Sequence, residues 1–151
     1  MKALLVLVLA LSLLGSRVDA CSCPPPPSAK YAVSNATAVF VGRVVSIETL
    51  WQEGLGNREP RLFVVSIRVD RSWKGASAGQ VVTVGTSGWL CTYPFEEKKD
   101  YLVYAYASDA QKSLGTNICT RTRRLSWAKA DLDSLGRATS SQAWFSRWNP
   151  F

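Results

Sequence analysis

The residues with the clearest chemistry are Cys21-Ser22-Cys23-Pro24. They follow Lys2, an apolar run over residues 3–14, and Gly15-Ser16-Arg17-Val18-Asp19-Ala20. A charged start, an apolar core and a small-residue exit mark a secretory signal. Cleavage after Ala20 leaves a mature chain that begins with a cysteine. Held down by a bridge through its own side chain, Cys21 then presents an α-amine and a carbonyl oxygen side by side. The two can close a five-membered chelate on a metal ion, and that metal need not belong to this protein. The amine must be unprotonated to ligate. Its free pKa is about 7.7–8.0, and a bound cation lowers it as it lowers that of bound water.

Something must hold such a terminus still. Four cysteines, Cys21, Cys23, Cys91 and Cys119, in an exported chain read as two disulfides. Cys21 with Cys23 would close a very tight ring, which disulfide geometry disfavours. The two remaining pairings both tie the amino terminus to Cys91 and Cys119, and residue order does not choose between them. Each long bridge stabilises by about 4 kcal/mol on the chain-entropy model. A four-thiolate zinc site competes with this reading, but export favours oxidation and the spacing is not that of paired CxxC.

Composition sets the outer bounds. Residues 1–20 carry Lys2, Arg17 and Asp19, so removing them changes the net charge from +7 to +6. A basic secreted domain is drawn to acidic glycans, anionic surfaces and acidic proteins. The chain has no histidine, which excludes a Ser-His-Asp triad, a Cys-His pair and a His-ligated metal. Asp131 and Asp133 are two apart on a predicted helix and do not share a face, so they make a poor acid–base pair. We expect no enzyme, no cofactor of its own, no nucleic-acid partner and a monomer.

The rest of the chain reads as strands. Pro24-Pro25-Pro26-Pro27 keeps the start extended, and residues 28–34 make a short helical turn. Residues 37–51 are rich in β-branched types and form a long strand broken at Gly42. Residues 52–60 carry two glycines and a proline and read as a loop. Over residues 62–73, Phe63, Val65, Ile67 and Val69 alternate with Ser66, Arg68 and Asp70, a half-buried strand. Residues 80–86, 101–107 and 116–123 supply three more. Ser126 caps a helix with Leu125, Ala128, Leu132 and Leu135 on one face, and Gly136 stops it. Five strands and a terminal helix predict a mainly β fold, a five-stranded closed barrel of the OB type with two disulfides. The organisation is a signal over residues 1–20, one domain over 21–136, and a tail over 137–151. Trp144, Phe145, Trp148 and Phe151 in that tail pack on the barrel or contact a membrane interface or partner.

An ordered set of fragments has a family likeness. They are Cys21-Ser22-Cys23-Pro24, Phe40-Val41-Gly42, Trp73-Lys74-Gly75, residues 81–84 ahead of Cys91, Tyr101-Leu102-Val103-Tyr104-Ala105, and Cys119-Thr120-Arg121-Thr122. Together they resemble the inhibitory domain of the tissue inhibitors of metalloproteinases, within the netrin-like module superfamily. The resemblance implies an OB-like barrel and the pairs Cys21–Cys91 and Cys23–Cys119. It implies that the Cys21 amine and carbonyl bind the catalytic zinc of a target metalloprotease. It also implies that the Ser22 side chain enters the primed-side pocket, with Cys23 and Pro24 behind it. The loop Ser87, Gly88, Trp89 and Leu90 lies alongside. Departures are plain: the third bridge of the animal inhibitors and their second cysteine-rich domain are missing, and Trp89 is bulky for its place.

Other readings keep their own residues. Arg121 and Arg123 share a predicted strand face beside Arg124, and Arg43, Arg68 and Arg71 can extend it into a patch for polyanions such as acidic glycans. Val18-Asp19-Ala20-Cys21 loosely resembles a lipobox, which would make the chain a cell-envelope lipoprotein. Asp19 fits such a box poorly, and an even number of cysteines argues against acylating one. Asn35-Ala36-Thr37 is a glycosylation sequon in a eukaryotic source.

Overall fold

A computed structural model of the chain describes residues 21–54, 56–87, 91–108 and 113–141. The expected signal and the aromatic tail, with Trp144, Phe145, Trp148 and Phe151, lie outside the described residues. A short helix α1 (Ala29–Asn35) leads into β1 (Ala38–Glu53), β2 (Arg58–Lys74), β3 (Val81–Ser87), β4 (Asp100–Ser108) and β5 (Ser113–Gly115). A two-residue strand β6 (Arg123–Arg124), a 3-10 turn (Leu125–Trp127), helix α2 (Lys129–Leu135) and strand β7 (Ser140–Ser141) follow.

The first five strands form a ring. β1 pairs with β2, β2 with β3, β3 with β5, β5 with β4, and β4 returns to β1. All pairs are antiparallel except β3 with β5. The ring closes because β1 is long enough to serve two neighbours. Its first six residues pair with β4 on one side while its whole length pairs with β2 on the other. Gly42 is where this bend is tightest: a Cβ there would lie 2.5 Å from the Arg68 carbonyl oxygen, and the β1–β2 register shifts between Val41 and Gly42. The expected break at Gly42 is therefore a bulge in a continuous strand, the usual device for turning a corner.

Two apolar layers share these strands. Phe40, Val65, Ile67, Val69, Tyr101 and Val103 fill the inside of the ring. Val39, Val41, Leu102 and Tyr104 point outwards, beneath α1 and α2. This explains why Ala38 to Val41 and Tyr101 to Ala105 read as unbroken apolar runs: both faces are buried. β2 is covered mainly on one face and alternates as expected, with Val65, Ile67 and Val69 buried.

Three elements depart from the sequence pattern. The predicted loop over residues 52–60 is a tight hairpin, because β1 runs to Glu53 and β2 starts at Arg58. Gly54 N–H bonds to Asn57 O at 2.7 Å, and Pro60 is accommodated opposite Trp51 beside a register shift. The strand expected over residues 116–123 is instead a loop and turn between β5 and β6, with only Arg123 of that span in a strand. Threonine hydroxyls take the bonds a strand would have made: Thr116 Oγ1 donates to Tyr104 O at 3.1 Å, and Tyr104 N–H donates to Thr122 Oγ1 at 3.0 Å. Finally, Ser126 does not cap α2. Ala128 does, without a side-chain bond. The 3-10 turn puts Leu125 and Ala128 on one side, since residues three apart eclipse in that helix. Leu125, Ala128, Leu132 and Leu135 do share the buried face, and Gly136 ends the helix with φ of 65°.

Two outcomes are expected. Gly75 turns β2 towards β3 with φ of 68°, and a Cβ there would press on the Thr37 carbonyl oxygen. Gly75→Ala should lower stability by roughly 2 kcal/mol or more, read as a fall in the urea midpoint at unchanged slope. Burial pushes the Tyr93 hydroxyl from 10.0 up to about 12, with nearby Tyr101 adding to it. Burial and then the Asp131 carboxylate raise Tyr104 from 10.0 to about 12. The protonated forms are favoured in the folded state. Their contribution is therefore complete below pH 10 and is lost as pH rises through about 12. Tyrosinate absorbance from these two residues should appear only near that upper limit, or together with unfolding.

Candidate functional site

Residues 21–28 form a strap with no regular secondary structure. Cys21 is half-buried, and residues 22–28 are exposed. Four consecutive prolines fix φ and donate no hydrogen bond, so the strap gains nothing from sheet pairing and must be held by other means. Its first anchor is Cys21–Cys91 and its second Cys23–Cys119, with Cα separations of 5.3 and 5.1 Å. These are the pairs the family resemblance implies. The two bridges lie side by side, with the Cys21 and Cys119 sulfurs 3.7 Å apart. All four sulfurs are thus committed to disulfides, and the four-thiolate zinc reading is corrected: no thiolate remains to ligate.

The receiving cysteines are themselves fixed. Cys91 adopts a φ of 64°, and its carbonyl accepts from Ile118 N–H at 3.0 Å. Asn117 Oδ1 accepts from Cys119 N–H at 2.9 Å. These contacts tie the loop after β3 to the loop after β5, so both bridges land on one joined platform. Ser87, at the exposed end of β3, accepts from the Thr92 hydroxyl through its carbonyl, which closes the turn that carries Cys91. The structure therefore brings Cys21, Ser22, Cys23 and Ser87 to one end of the ring. Gly88, Trp89 and Leu90 lie outside the described residues.

A third anchor holds the far end of the strap. Arg121 Nη1 donates to the Pro27 carbonyl at 2.6 Å. One residue on, Ser28 caps α1: its hydroxyl accepts from Tyr31 N–H at 3.3 Å, and its carbonyl starts the helix. A shallow groove of about 280 Å³ runs beside the strap, walled by Cys23, Pro24, Pro26, Ile118 and Trp127. Trp127 is 73% exposed there. A second cleft of about 500 Å³ lies along Cys91, with Arg61, Ser87, Tyr106 and Asn117 on its walls.

Most of the arginines expected to form a polyanion patch have partners within the fold. Arg121 forks onto Asp131 through Nε at 3.1 Å and through Nη2, and its side chain is 15% exposed. Arg123 Nε stands 3.7 Å from the same carboxylate, and Arg124 pairs with Glu96. Arg43 forks onto Asp100 at 2.9 and 2.8 Å, Arg71 lies over the Trp73 ring, and Arg68 is exposed. The hydrogen bonds that Arg121 donates to Asp131, with the Asp131 charge and the neighbouring Tyr104, raise the guanidinium pKa above its ordinary value, against the effect of burial.

Residue patterns pointed away from Asp131, which is 1% exposed. It does not share a face with Asp133, which instead pairs with Lys129 at 2.8 Å. A usable signal was present: Asp131 lies three residues after Ala128 and four before Leu135, on the helix's apolar side. A carboxylate there requires a buried cation.

No family model matches the chain, and no curated protein matches it. Two disulfides fit an extracellular or otherwise oxidising environment. Among the described residues no helix is long and apolar enough to cross a membrane.

If the bridges hold the strap as described, replacing Cys23 and Cys119 together by serine should lower stability by about 2–5 kcal/mol. The loss should be smaller with denaturant in a reducing buffer, where the wild-type chain has also lost its bridges. Equal stability of variant and wild type under oxidising conditions would contradict this account.

Proposed function

We propose that the protein is a secreted inhibitor of zinc metalloproteases, related in design to the tissue inhibitors of metalloproteinases. Its mature terminus, Cys21, chelates the target's catalytic zinc through its α-amine and carbonyl oxygen. The observation that carries this reading is the anchoring of the strap. Cys21 is bridged to Cys91 through its side chain, which leaves its main-chain groups to act, while Ser22 and Cys23 beside it are exposed.

The chemistry follows from that arrangement. A terminus fixed by two bridges loses little freedom on binding, so more of the interaction energy appears as affinity. Pro24 biases Cys23 towards an extended form, the shape of a substrate strand in a protease cleft. Ser22 is short and ends in a hydroxyl, so it fills a specificity pocket only partly and favours breadth over selectivity. Ser87 stands on the same end of the ring and supplies a second contact. The zinc belongs to the target. The inhibitor needs no cofactor of its own and performs no reaction.

Two alternatives are weaker on particular observations. Lipidation would consume the Cys21 sulfur that the bridge to Cys91 uses. A polyanion-binding module would draw on Arg121, Arg123 and Arg124, each of which is paired with a carboxylate.

Adding one alanine ahead of Cys21 converts the amine to an amide and removes a zinc ligand. Inhibition of a zinc metalloprotease should fall to the limit of detection in that variant, while its thermal midpoint stays unchanged. Retained potency in the extended protein would rule out chelation. Inhibition should also fade as pH drops and the amine protonates, after correction for the protease's own pH profile; a flat corrected response would argue against amine ligation.

A further inference from the structure

Two of the strap's three anchors are covalent. The third is one guanidinium, and its surroundings leave it little choice of direction. Asp131 is 1% exposed on α2, and Arg121 is 15% exposed. A carboxylate buried to that extent needs its cation, because leaving it unpaired is strongly destabilising. Arg121 meets Asp131 with Nε and Nη2, the two nitrogens on one edge of the plane. That orientation aims Nη1 at the carbonyl of Pro27, 2.6 Å away.

Between Pro27 and the bridged Cys23 there are only prolines. Such a run is a semi-rigid rod with a persistence of several residues. The line chosen at Pro27 is therefore transmitted to Cys23, and through it to the two residues in front. Both bridges lie within the first three residues of the strap, and a disulfide is a linkage of single bonds, so together they leave the proline end free to swing and the edge free to tilt about them. A third fixed point further along removes that tilt.

We propose that Arg121 is a positioning residue for the amino-terminal edge: it couples the buried carboxylate of α2 to the end of the proline strap and so sets the direction in which Cys21 and Ser22 project. This rests on the reading of Cys21 as a ligand to a target's zinc. It assigns the C-terminal helix a role in that site through the Asp131 carboxylate, although α2 contributes no residue to the exposed edge.

Two variants test this in the full secreted chain. Arg121→Lys keeps a positive charge but loses the planar fork, so it cannot serve Asp131 and Pro27 in the same geometry. Arg123, 3.7 Å from Asp131, keeps the carboxylate compensated and the helix in place. Pro25→Gly leaves Arg121 and Asp131 untouched at an exposed position and softens the rod. The measurements are inhibition constants against a zinc metalloprotease, backbone NMR order parameters at Cys23 and Ser28, and amide exchange in β1 and β4.

Arg121→Lys should raise the inhibition constant about tenfold, and Pro25→Gly about threefold. The order parameters of Cys23 and Ser28 should fall in both variants, with exchange in the core strands unchanged. Wild-type potency in either variant overturns the proposal. So does a loss of potency in Arg121→Lys alone that comes with faster exchange throughout β1 and β4, since that is a structural effect only. If the wild-type protein inhibits no zinc metalloprotease, the chelation reading falls. The order parameters of Cys23 and Ser28 in Arg121→Lys then still decide the positioning role: lower values there uphold it, and unchanged values overturn it.

Discussion

The structure depends on attaching a segment that cannot pair with anything. Residues 24–27 offer no N–H group to a sheet, and residues 22–28 are exposed, so neither hydrogen-bond ladders nor burial can hold them. Two disulfides and one guanidinium do so instead. Each needs a rigid landing point. The five-stranded ring provides them by bringing the loops after β3 and β5 together at one end, where Ile118 N–H bonds to Cys91 O.

Ring closure answers the same need from another side. Without the β1–β4 pairing the sheet would leave backbone groups of β1 and β4 unpaired. Here β1 curls back onto β4, and β5, three residues long, bridges β3 and β4. The two helices cover the outer face of β1 and β4, which buries Val39, Val41, Leu102 and Tyr104 there, while Phe40 and Tyr101 of the same strands are buried inside the ring. The ion pair between Arg121 and Asp131 lies under this cover. It joins α2 to the strap across the same region of the molecule.

Much of the architecture could be read from residue order. Alternation at Val65, Ile67 and Val69 marked β2, the apolar runs marked β1 and β4, and Gly136 marked the end of α2. The failures have physical causes. Thr116, Thr120 and Thr122 look like a strand because β-branched residues favour one, yet their hydroxyls bond one another and the Tyr104 backbone, and so replace the ladder. Residues 52–60 look like a loop because they hold Gly54, Gly56 and Pro60, yet cross-strand pairing carries both strands almost to the turn. Local composition is a weak guide wherever a distant partner supplies the bonds.

For the candidate site the division is similar. The amino-acid order alone determined which atoms are available: a cysteine, a serine, a second cysteine, a run of prolines, and no histidine to do other chemistry. These are properties of covalent structure and of residues adjacent in the chain. Only the tertiary structure decided how the cysteines pair, since Cys21 meets Cys91 across 70 residues and Cys23 meets Cys119 across 96. It also decided that Arg121 belongs to Asp131 and Pro27 rather than to solvent. Charge in a sequence carries no partner with it. The partner is whatever the fold brings within a few ångströms, and a buried carboxylate on a helix claimed this arginine before any ligand could.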